Sequence, residues 1–309
     1  MLSAAQHEAV TSEAAWPLQI LAGPGSGKTR VLTSRVAHLV RDSAAPIAPE
    51  RCVVVTFTNR AANEMRARLE TMIGADRTRR LVLGTFHAVC VRFLRRWGTR
   101  LGLDPRFTIA DTDDARRLLR DVDRDAPVDA TLAAISRAKA HGWTPDELRA
   151  SAQHAPGSPA HTEHLALCRT YAAYQQQLRT SHALDFDDLL LLGVRLFREH
   201  PELTTHIDHV LVDEFQDTNA VQYELLRRLS RHVSVVGDPD QSIYSWRHAD
   251  VRHIERMHLD FPGLHRVLLE ENYRSTPQIL EAALRVMQQD PHRLPKGLYT
   301  ACLLYTSDA

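Results

Sequence analysis

The sequence predicts an α/β protein with a parallel sheet, into which an all-helical segment is inserted. Short apolar runs of strand length, such as residues 18–21 and 52–57, alternate with amphipathic stretches of helical period. A glycine-rich turn joins the first of these runs to the helix that follows it. Strand patterns stop between about Gly98 and Leu184 and resume at residue 209. This order favours a sheet domain interrupted by a helical insertion.

Length and composition set the limits of the function. The 309 residues have room for about two domains, and 44% of them are hydrophobic, which is enough for a sizeable core. The 38 basic and 38 acidic residues cancel, so a nucleic-acid partner would be bound by a local patch or by stacking. The four cysteines form no C-x-x-C pair, which argues against a zinc site or a disulfide frame. No apolar run reaches the roughly 20 residues of a membrane span, so we expect a soluble protein.

The turn after the first strand, residues 22–29, reads AGPGSGKT and matches the Walker A motif. Glycines let backbone N–H groups approach phosphate oxygens, and the following helix N-terminus favours negative charge. Lys28 is placed to reach the β- and γ-phosphates, and the Thr29 hydroxyl to hold Mg²⁺. The predicted phosphate-binding residues are Gly23, Gly25, Ser26, Gly27, Lys28 and Thr29. The sequence therefore predicts a site for a nucleoside triphosphate.

A short helix is predicted before this loop. Ser3 is a candidate N-cap, and the helix carries Gln6. The glutamine amide offers a donor beside an acceptor, as the adenine edge does. We consider Gln6 a candidate contact to the base only because the phosphate loop follows it in the sequence.

The apolar run 209–212 ends in Asp213 and Glu214, which is the Walker B pattern. Asp213 is expected to hold Mg²⁺, and Glu214 to polarise the attacking water. A further strand at 233–238 leads to Gln241, which is placed to sense the γ-phosphate.

Aromatic residues also follow the strand ends. Phe57 lies at the carboxyl end of the strand 52–57, where ligands bind in open α/β sheets. Tyr244 and Trp246 come just after Gln241, with Arg247 beside them. Such residues often only pack, but aromatic rings interleaved with arginine suit base stacking.

The segment between the two strand-bearing parts is predicted to be helical. Asp111 and Thr144 are candidate N-caps, and residues 161–179 have the pattern of a longer helix. Asp185 starts the helix that returns the chain to the sheet domain.

Seven motifs in order resemble the amino-terminal half of a superfamily 1A DNA helicase of the UvrD/Rep type. They occupy residues 2–6, 22–29, 56–65, 84–90, 212–219, 235–246 and 271–275. The resemblance implies a RecA-like P-loop NTPase domain with an inserted helical subdomain. The expected limits are 1–98 and 186–290 for the motor domain, 99–185 for the insertion and 291–309 for a tail.

The resemblance also implies roles for matching positions. Gln6 and Arg30 would contact the adenine nucleotide, and Tyr273 would stack on its base. Gln241 would couple the γ-phosphate to the DNA site, and Arg274 would be the arginine finger. The single-stranded DNA track would be lined by Phe57, Tyr244, Trp246 and Arg247, with Asn59 and His87 nearby.

The implied function is that of a 3′–5′ DNA helicase or translocase that uses ATP and Mg²⁺. Its partners would be single-stranded DNA and duplex junctions, in repair and recombination, with no membrane involved. Two alternatives remain: the helicase-like subunit of a recombination nuclease, and a nucleotide-dependent DNA-binding module without turnover. A P-loop kinase is disfavoured because Glu214 stands beside the magnesium ligand.

Two features concern the origin and the end of the chain. The sequences of residues 18–24 and 288–290 resemble those of a eukaryotic anti-recombination branch of the family. Membership of that branch would place the protein in the nucleus, and a bacterial cytoplasm is the alternative. Residues 302–309 do not resemble the family and read as translated adapter from a transposase-based sequencing library. We therefore expect them to be non-native, and we expect the chain to be a poorly active fragment without the second motor domain.

Overall fold

The computed structural model describes residues 2–151, 157–230, 232–243, 249–289 and 296–302. The chain divides into two compact units. Unit 1 contains residues 1–89, 202–218 and 226–309, and unit 2 contains residues 90–201 and 219–225. The domain limits expected from the sequence remain a proposal.

The strands within the described residues are numbered in chain order. They are β1 (Leu18–Ala22), β2 (Cys52–Thr56), β3 (Val82–Thr85), β4 (Thr108–Ile109), β5 (Ala183–Leu184), β6 (His209–Val212), β7 (Val233–Gly237), β8 (His265–Leu269), β9 (Glu271–Asn272) and β10 (Tyr299–Thr300).

The α-helices of the same residues are numbered likewise. They are α1 (Ala4–Thr11), α2 (Lys28–Ala37), α3 (Asn59–Ile73), α4 (Ala75–Arg80), α5 (Phe86–Trp97), α6 (Thr112–Val122), α7 (Val128–Ala140), α8 (Pro145–Ala150), α9 (Pro159–Thr180), α10 (Phe186–Glu199), α11 (Ala220–Leu229), α12 (Arg252–Asp260) and α13 (Pro277–Met287).

Unit 1 is built on a six-stranded sheet in the order β3-β2-β6-β7-β1-β8, in which every neighbouring pair is parallel. All residues of β1, β2, β6 and β7 are buried, whereas β8 at the edge has exposed positions. Both faces of a parallel sheet are covered by helices, so its central strands are continuous apolar runs. The predicted α/β class with a parallel sheet is confirmed.

This sheet places the predicted motifs at one edge. The carboxyl ends of parallel strands lie on the same side, so the segments that follow β1, β6, β7 and β8 emerge together. The Walker A loop follows β1, the Walker B acids follow β6, Gln241 follows β7, and Tyr273 follows β8.

Unit 2 has its own core, which includes Leu119, Ile135 and Tyr171. The predicted caps are confirmed: Asp111 and Thr144 each form a capping box at the start of a helix. One detail differs from the helical expectation, because β4 and β5 form a two-residue parallel pair. A pair this short has no periodicity that a sequence pattern could show.

Among the residues that the structure describes, no helix has the length and apolar character needed to cross a membrane.

Candidate functional site

The phosphate loop has two glycines in conformations that other residues rarely adopt. Gly25 has φ +65°, and Gly27, which precedes the first residue of α2, has φ +84°. A Cβ added to Gly25 would lie 2.8 Å from the Cβ of Arg274 and 2.9 Å from Nδ2 of Asn272. The loop therefore needs glycine at position 25 for its backbone and for its close neighbours.

Asn272 fastens the segment after β8 to this loop. Its Nδ2 donates to the carbonyl oxygen of Pro24 at 2.7 Å, and its Oδ1 accepts from the backbone N–H groups of Arg274 (2.8 Å) and Ser275 (2.7 Å). The N–H of Tyr273 donates to the carbonyl oxygen of Gly25 at 3.0 Å. These bonds bring Tyr273 and Arg274 to the phosphate loop, and their predicted roles stay predictions.

Gln6 lies against the other side of the loop. Ser3 and Gln6 form a capping box, so the predicted N-cap is confirmed. The Gln6 Oε1 accepts from the N–H of Ser3 at 3.1 Å, and its Nε2 donates to the carbonyl oxygen of Ser26 at 2.9 Å. In this structure the amide of Gln6 thus supports the loop, and its predicted contact with adenine stays a prediction.

Two further residues predicted to contact the nucleotide are accessible. The Tyr273 side chain is 45% exposed, and its hydroxyl donates to Oε2 of Glu271 at 2.6 Å. Arg30 is exposed on α2. An exposed ring beside the phosphate loop offers a face on which a base can stack.

The two Walker B acids differ in their surroundings. Asp213 is buried and accepts the N–H of Glu214 at 3.0 Å. Burial, reinforced by the charge of Glu214, raises the pKa of the Asp213 carboxyl to about 7. Glu214 has φ +49°, a left-handed conformation that is uncommon for a residue with a side chain.

Lys28 faces these acids. Burial lowers the pKa of its ammonium group, and the carboxylates of Asp238, Glu214 and Asp213 act in the opposite direction. Lys296 adds to the lowering. The Walker A lysine, both Walker B acids and two unpredicted residues thus share one electrostatic environment.

Hydrogen bonds connect Glu214 with Gln241. The Gln216 Nε2 donates to Oε2 of Glu214 at 2.8 Å, and the Gln216 Oε1 accepts the N–H of Asp238 at 3.0 Å. The Asp238 carboxylate in turn accepts from Nε2 of Gln241. This relay of side chains joins the end of β6 to the end of β7.

The sequence interpretation missed four members of this site: Gln216, Asp238, Asn272 and Lys296. The first three lie inside matched motifs, so their position next to predicted site residues could have identified them. Lys296 lies outside these motifs, and only its rarity could have identified it, because the chain contains only three lysines.

The donors in the site fit a magnesium ion. Mg²⁺ prefers hard oxygen ligands and is usually held by one or two protein groups together with phosphate oxygens. The Thr29 hydroxyl and the Asp213 carboxylate supply such oxygens, and a cation would offset the cost of burying Asp213 beside Glu214. Within the described residues no three His, Cys, Asp or Glu side chains converge to hold a metal.

The predicted DNA-binding residues divide into two groups. Phe57 and Asn59 follow β2, and His87 follows β3, which pairs with β2 through Thr56 and Thr85. These three therefore emerge at neighbouring positions of the carboxyl edge, where Phe57 and His87 are half-buried and Asn59 is exposed. Tyr244, Trp246 and Arg247 lie outside the described residues.

Comparison with known proteins gives a consistent result. The family described as UvrD/REP helicase N-terminal domain matches residues 2–262. ATP-dependent DNA helicase PcrA of Leuconostoc citreum is 42% identical over an alignment 310 residues long, which covers 96% of this chain and 40% of that protein. The PcrA proteins of Staphylococcus epidermidis and Staphylococcus aureus are each 40% identical and cover 97% and 96% of the chain.

The chain spans about two fifths of the length of these curated relatives. The relatives named here are bacterial, so the preference for a eukaryotic, nuclear protein finds no support and the bacterial alternative is favoured.

Proposed function

The chain belongs to the UvrD/REP helicase family, and from this premise we propose that it is an ATP-hydrolysing motor domain that moves along single-stranded DNA in the 3′–5′ direction. We further propose that the whole protein unwinds duplexes from junctions during DNA repair and recombination. The bacterial relatives favour a bacterial cytoplasm as its location.

One observation carries the proposal. Lys28, Glu214 and Arg274 come from three separate segments, and all three lie around the same phosphate loop. Arg274 is held there by Asn272, and Glu214 is near enough to Lys28 to influence its pKa. A lysine, a carboxylate and an arginine around one phosphate cradle are the groups that phosphoryl transfer to water requires.

Each group has a separate task. Lys28 neutralises the β- and γ-phosphates, and Thr29 and Asp213 would hold Mg²⁺, which supplies further charge neutralisation. Glu214 orients and polarises the attacking water. Arg274 stabilises the charge that develops on the transferred phosphoryl group.

Recognition of the nucleoside and of DNA uses the neighbouring residues. Gln6, Arg30 and Tyr273 are proposed to contact the adenine nucleotide. Phe57 is proposed to stack on a DNA base, with Asn59 and His87 beside the strand, because stacking tolerates any sequence. Tyr244, Trp246 and Arg247 complete the proposed track.

The test replaces Glu214 by Gln. This change removes the charge that polarises water and keeps the shape of the side chain, so we expect ATP turnover to fall by about 10²–10³-fold. The affinity for Mg-ATP should stay within about threefold, because no phosphate contact is lost. Turnover is measured with and without single-stranded DNA, and affinity by titration with a fluorescent ATP analogue.

Glu281→Gln is the matched control. Glu281 pairs with Arg285 on the exposed side of α13, and its side chain is 65% exposed. It should leave both turnover and affinity unchanged. Equal turnover in Glu214→Gln and the unsubstituted chain would contradict the proposal, and so would the absence of any Mg-ATP binding.

A further inference from the structure

Lys296 is buried beside two carboxylates of the nucleotide site. Its Nζ donates to Oδ1 of Asp238 and lies 3.0 Å from Oδ2 of Asp240. The side chains of Lys296 and Asp238 are 1% and 0% exposed. Burying an ion pair costs free energy of desolvation, so the presence of this pair beside the nucleotide site requires an explanation.

Lysine is rare in this chain, which gives the position weight. Among the 38 basic residues only Lys28, Lys139 and Lys296 are lysines, and the others are arginines. Lysine presents a compact ammonium, whereas arginine presents a wide planar fork. Lys28 is the Walker A lysine, and Lys139 and Lys296 are both almost fully buried between aspartates. Lysine therefore occurs here where a compact charge is needed.

The segment that carries Lys296 is seated on the phosphate loop. A Cβ added to Gly23 would lie 2.4 Å from Cδ2 of Leu298, so the first glycine of the loop is covered by this segment. The N–H of Gly297 donates to Oε1 of Glu270 at 2.6 Å.

The same segment pairs with the strand that leads to the arginine finger. β10 runs parallel to β9, and the Thr300 hydroxyl donates to the carbonyl oxygens of Asn272 (2.7 Å) and Ser275 (2.9 Å). Lys296 thus enters the site from a segment bonded to the residues on both sides of Arg274.

Asp238 joins Lys296 to the catalytic groups. Its carboxylate accepts from Nε2 of Gln241 and from the N–H of Asp240, and its own N–H donates to Gln216, which bonds Glu214. Asp238 is also the carboxylate that acts most strongly on Lys28. An unpaired Asp238 would repel the γ-phosphate and would be free to leave Gln241.

We propose that Lys296 is a positioning residue for ATP hydrolysis: it neutralises Asp238 and so holds Gln241 and Glu214 in the arrangement that acts on the γ-phosphate. This inference rests on the proposed function and deepens it. Lys296 acts through Asp238, and it makes no phosphate contact of its own.

The test is a double-mutant cycle with Lys296→Met and Asp238→Asn. Methionine keeps the length and apolar stem of lysine, so the contact of Leu298 with Gly23 is preserved. In the unsubstituted background we expect Lys296→Met to lower kcat by at least tenfold while the Mg-ATP affinity changes by less than threefold. In the Asp238→Asn background, where the charge of Asp238 no longer needs neutralising, the same change should lower kcat by less than threefold.

Two kinetic outcomes would overturn the proposal. Equal losses of kcat in both backgrounds would show that Lys296 does not act through Asp238. A loss of Mg-ATP affinity with unchanged kcat would make Lys296 a direct phosphate ligand. Lys139→Met is the matched control for the loss of a buried lysine, and it should leave kcat unchanged.

A second measurement keeps this test separate from the proposed function. In protein labelled with ¹³C at lysine Cε, only three lysines contribute signals, and Lys296→Arg identifies the one from residue 296. That signal should shift in Asp238→Asn without nucleotide, and again when Mg-ATPγS is added to the unsubstituted chain. A shift with Asp238→Asn alone would retain the ion pair but show that it does not respond to nucleotide, which would refute the positioning role and leave the proposed function to the Glu214→Gln test. No shift with Asp238→Asn would refute the ion pair and with it this inference.

Discussion

Two buried lysines of this protein each lie between two aspartates, but their surroundings differ. Lys139 in unit 2 donates to Oδ2 of Asp185 at 2.6 Å and to Oδ1 of Asp188 at 2.7 Å, with no exposed side-chain surface. Lys296 in unit 1 lies between Asp238 and Asp240. Composition and burial do not distinguish these two clusters.

Their neighbours do distinguish them. Asp185 caps α10 and accepts from the Tyr174 hydroxyl at 3.1 Å, and Asp188 accepts from Nε2 of Gln175 at 2.9 Å. The partners of Lys139 thus belong to helices whose ends and faces they fasten. The partner of Lys296 bonds Gln241 and acts on Lys28, beside a phosphate loop. A buried ion pair is structural where its partners fasten the fold and functional where they also reach a ligand site.

The substitution Lys139→Met tests the contrast between the two lysines most strongly. The change leaves Asp185 and Asp188 buried without their counter-charge, which should destabilise the protein by about 3 kcal/mol. Thermal unfolding measures this loss. The kcat of the folded protein should be unchanged, in contrast to Lys296→Met.

A matched pair of substitutions sharpens this result. Asp188→Asn combined with Lys139→Met removes charge from both sides, so part of the lost stability should return. A fall in kcat with unchanged thermal stability in Lys139→Met would contradict the structural role assigned to this cluster.

The comparison also explains what the sequence could predict. Lys28, Asp213 and Glu214 could be predicted because the motifs for phosphate and metal chemistry are short and stand at strand ends. The caps Ser3, Asp111 and Thr144 were found because a cap is a local arrangement. Such features depend on neighbours in sequence.

The features that were missed depend on neighbours in space. Lys296 meets Asp238 across 58 positions, and Asn272 meets Pro24 across 248. No periodicity or motif encodes these distances. The pairs β4–β5 and β9–β10 escaped for the same reason, since two residues of strand have no pattern of their own.

A smaller effect is expected where the segment of Lys296 covers the phosphate loop. Gly23→Ala places a methyl group against Leu298, whose side chain must shift, and we expect a loss of about 1–2 kcal/mol in unfolding free energy. The shift also moves Lys296, so kcat should fall more than stability alone would explain. Leu298→Ala in the same chain makes room and should restore kcat in part; failure to restore it would show that Gly23 acts independently of this segment.

The smallest effect concerns Asp187, a further acid at the start of α10. Burial, with the charge of Asp185, raises the pKa of its carboxyl to about 6, against the bond from Ser136 and the charge of Lys139. Between pH 4 and 6 the folded state therefore binds more protons at Asp187 than the unfolded state does, so its contribution to stability falls as pH rises through this range. Above about pH 6 the full cost of the ionised group is present.

Asp187→Asn removes that cost. We expect the variant to be more stable than the unsubstituted chain at pH 7.5 by about 1 kcal/mol, a rise in Tm of about 2–4 °C, with little difference at pH 4. Asp121→Asn, which removes an exposed carboxylate of α6, controls for the loss of one negative charge. If Asp187→Asn and Asp121→Asn change the stability by the same amount at both pH values, the ionised Asp187 carboxylate does not destabilise the fold. The expected result would instead mean that Asp187 adds a carboxylate that the structural role of the Lys139 cluster does not need. In the Lys296 cluster, by contrast, Lys296 contacts both carboxylates, Asp238 and Asp240.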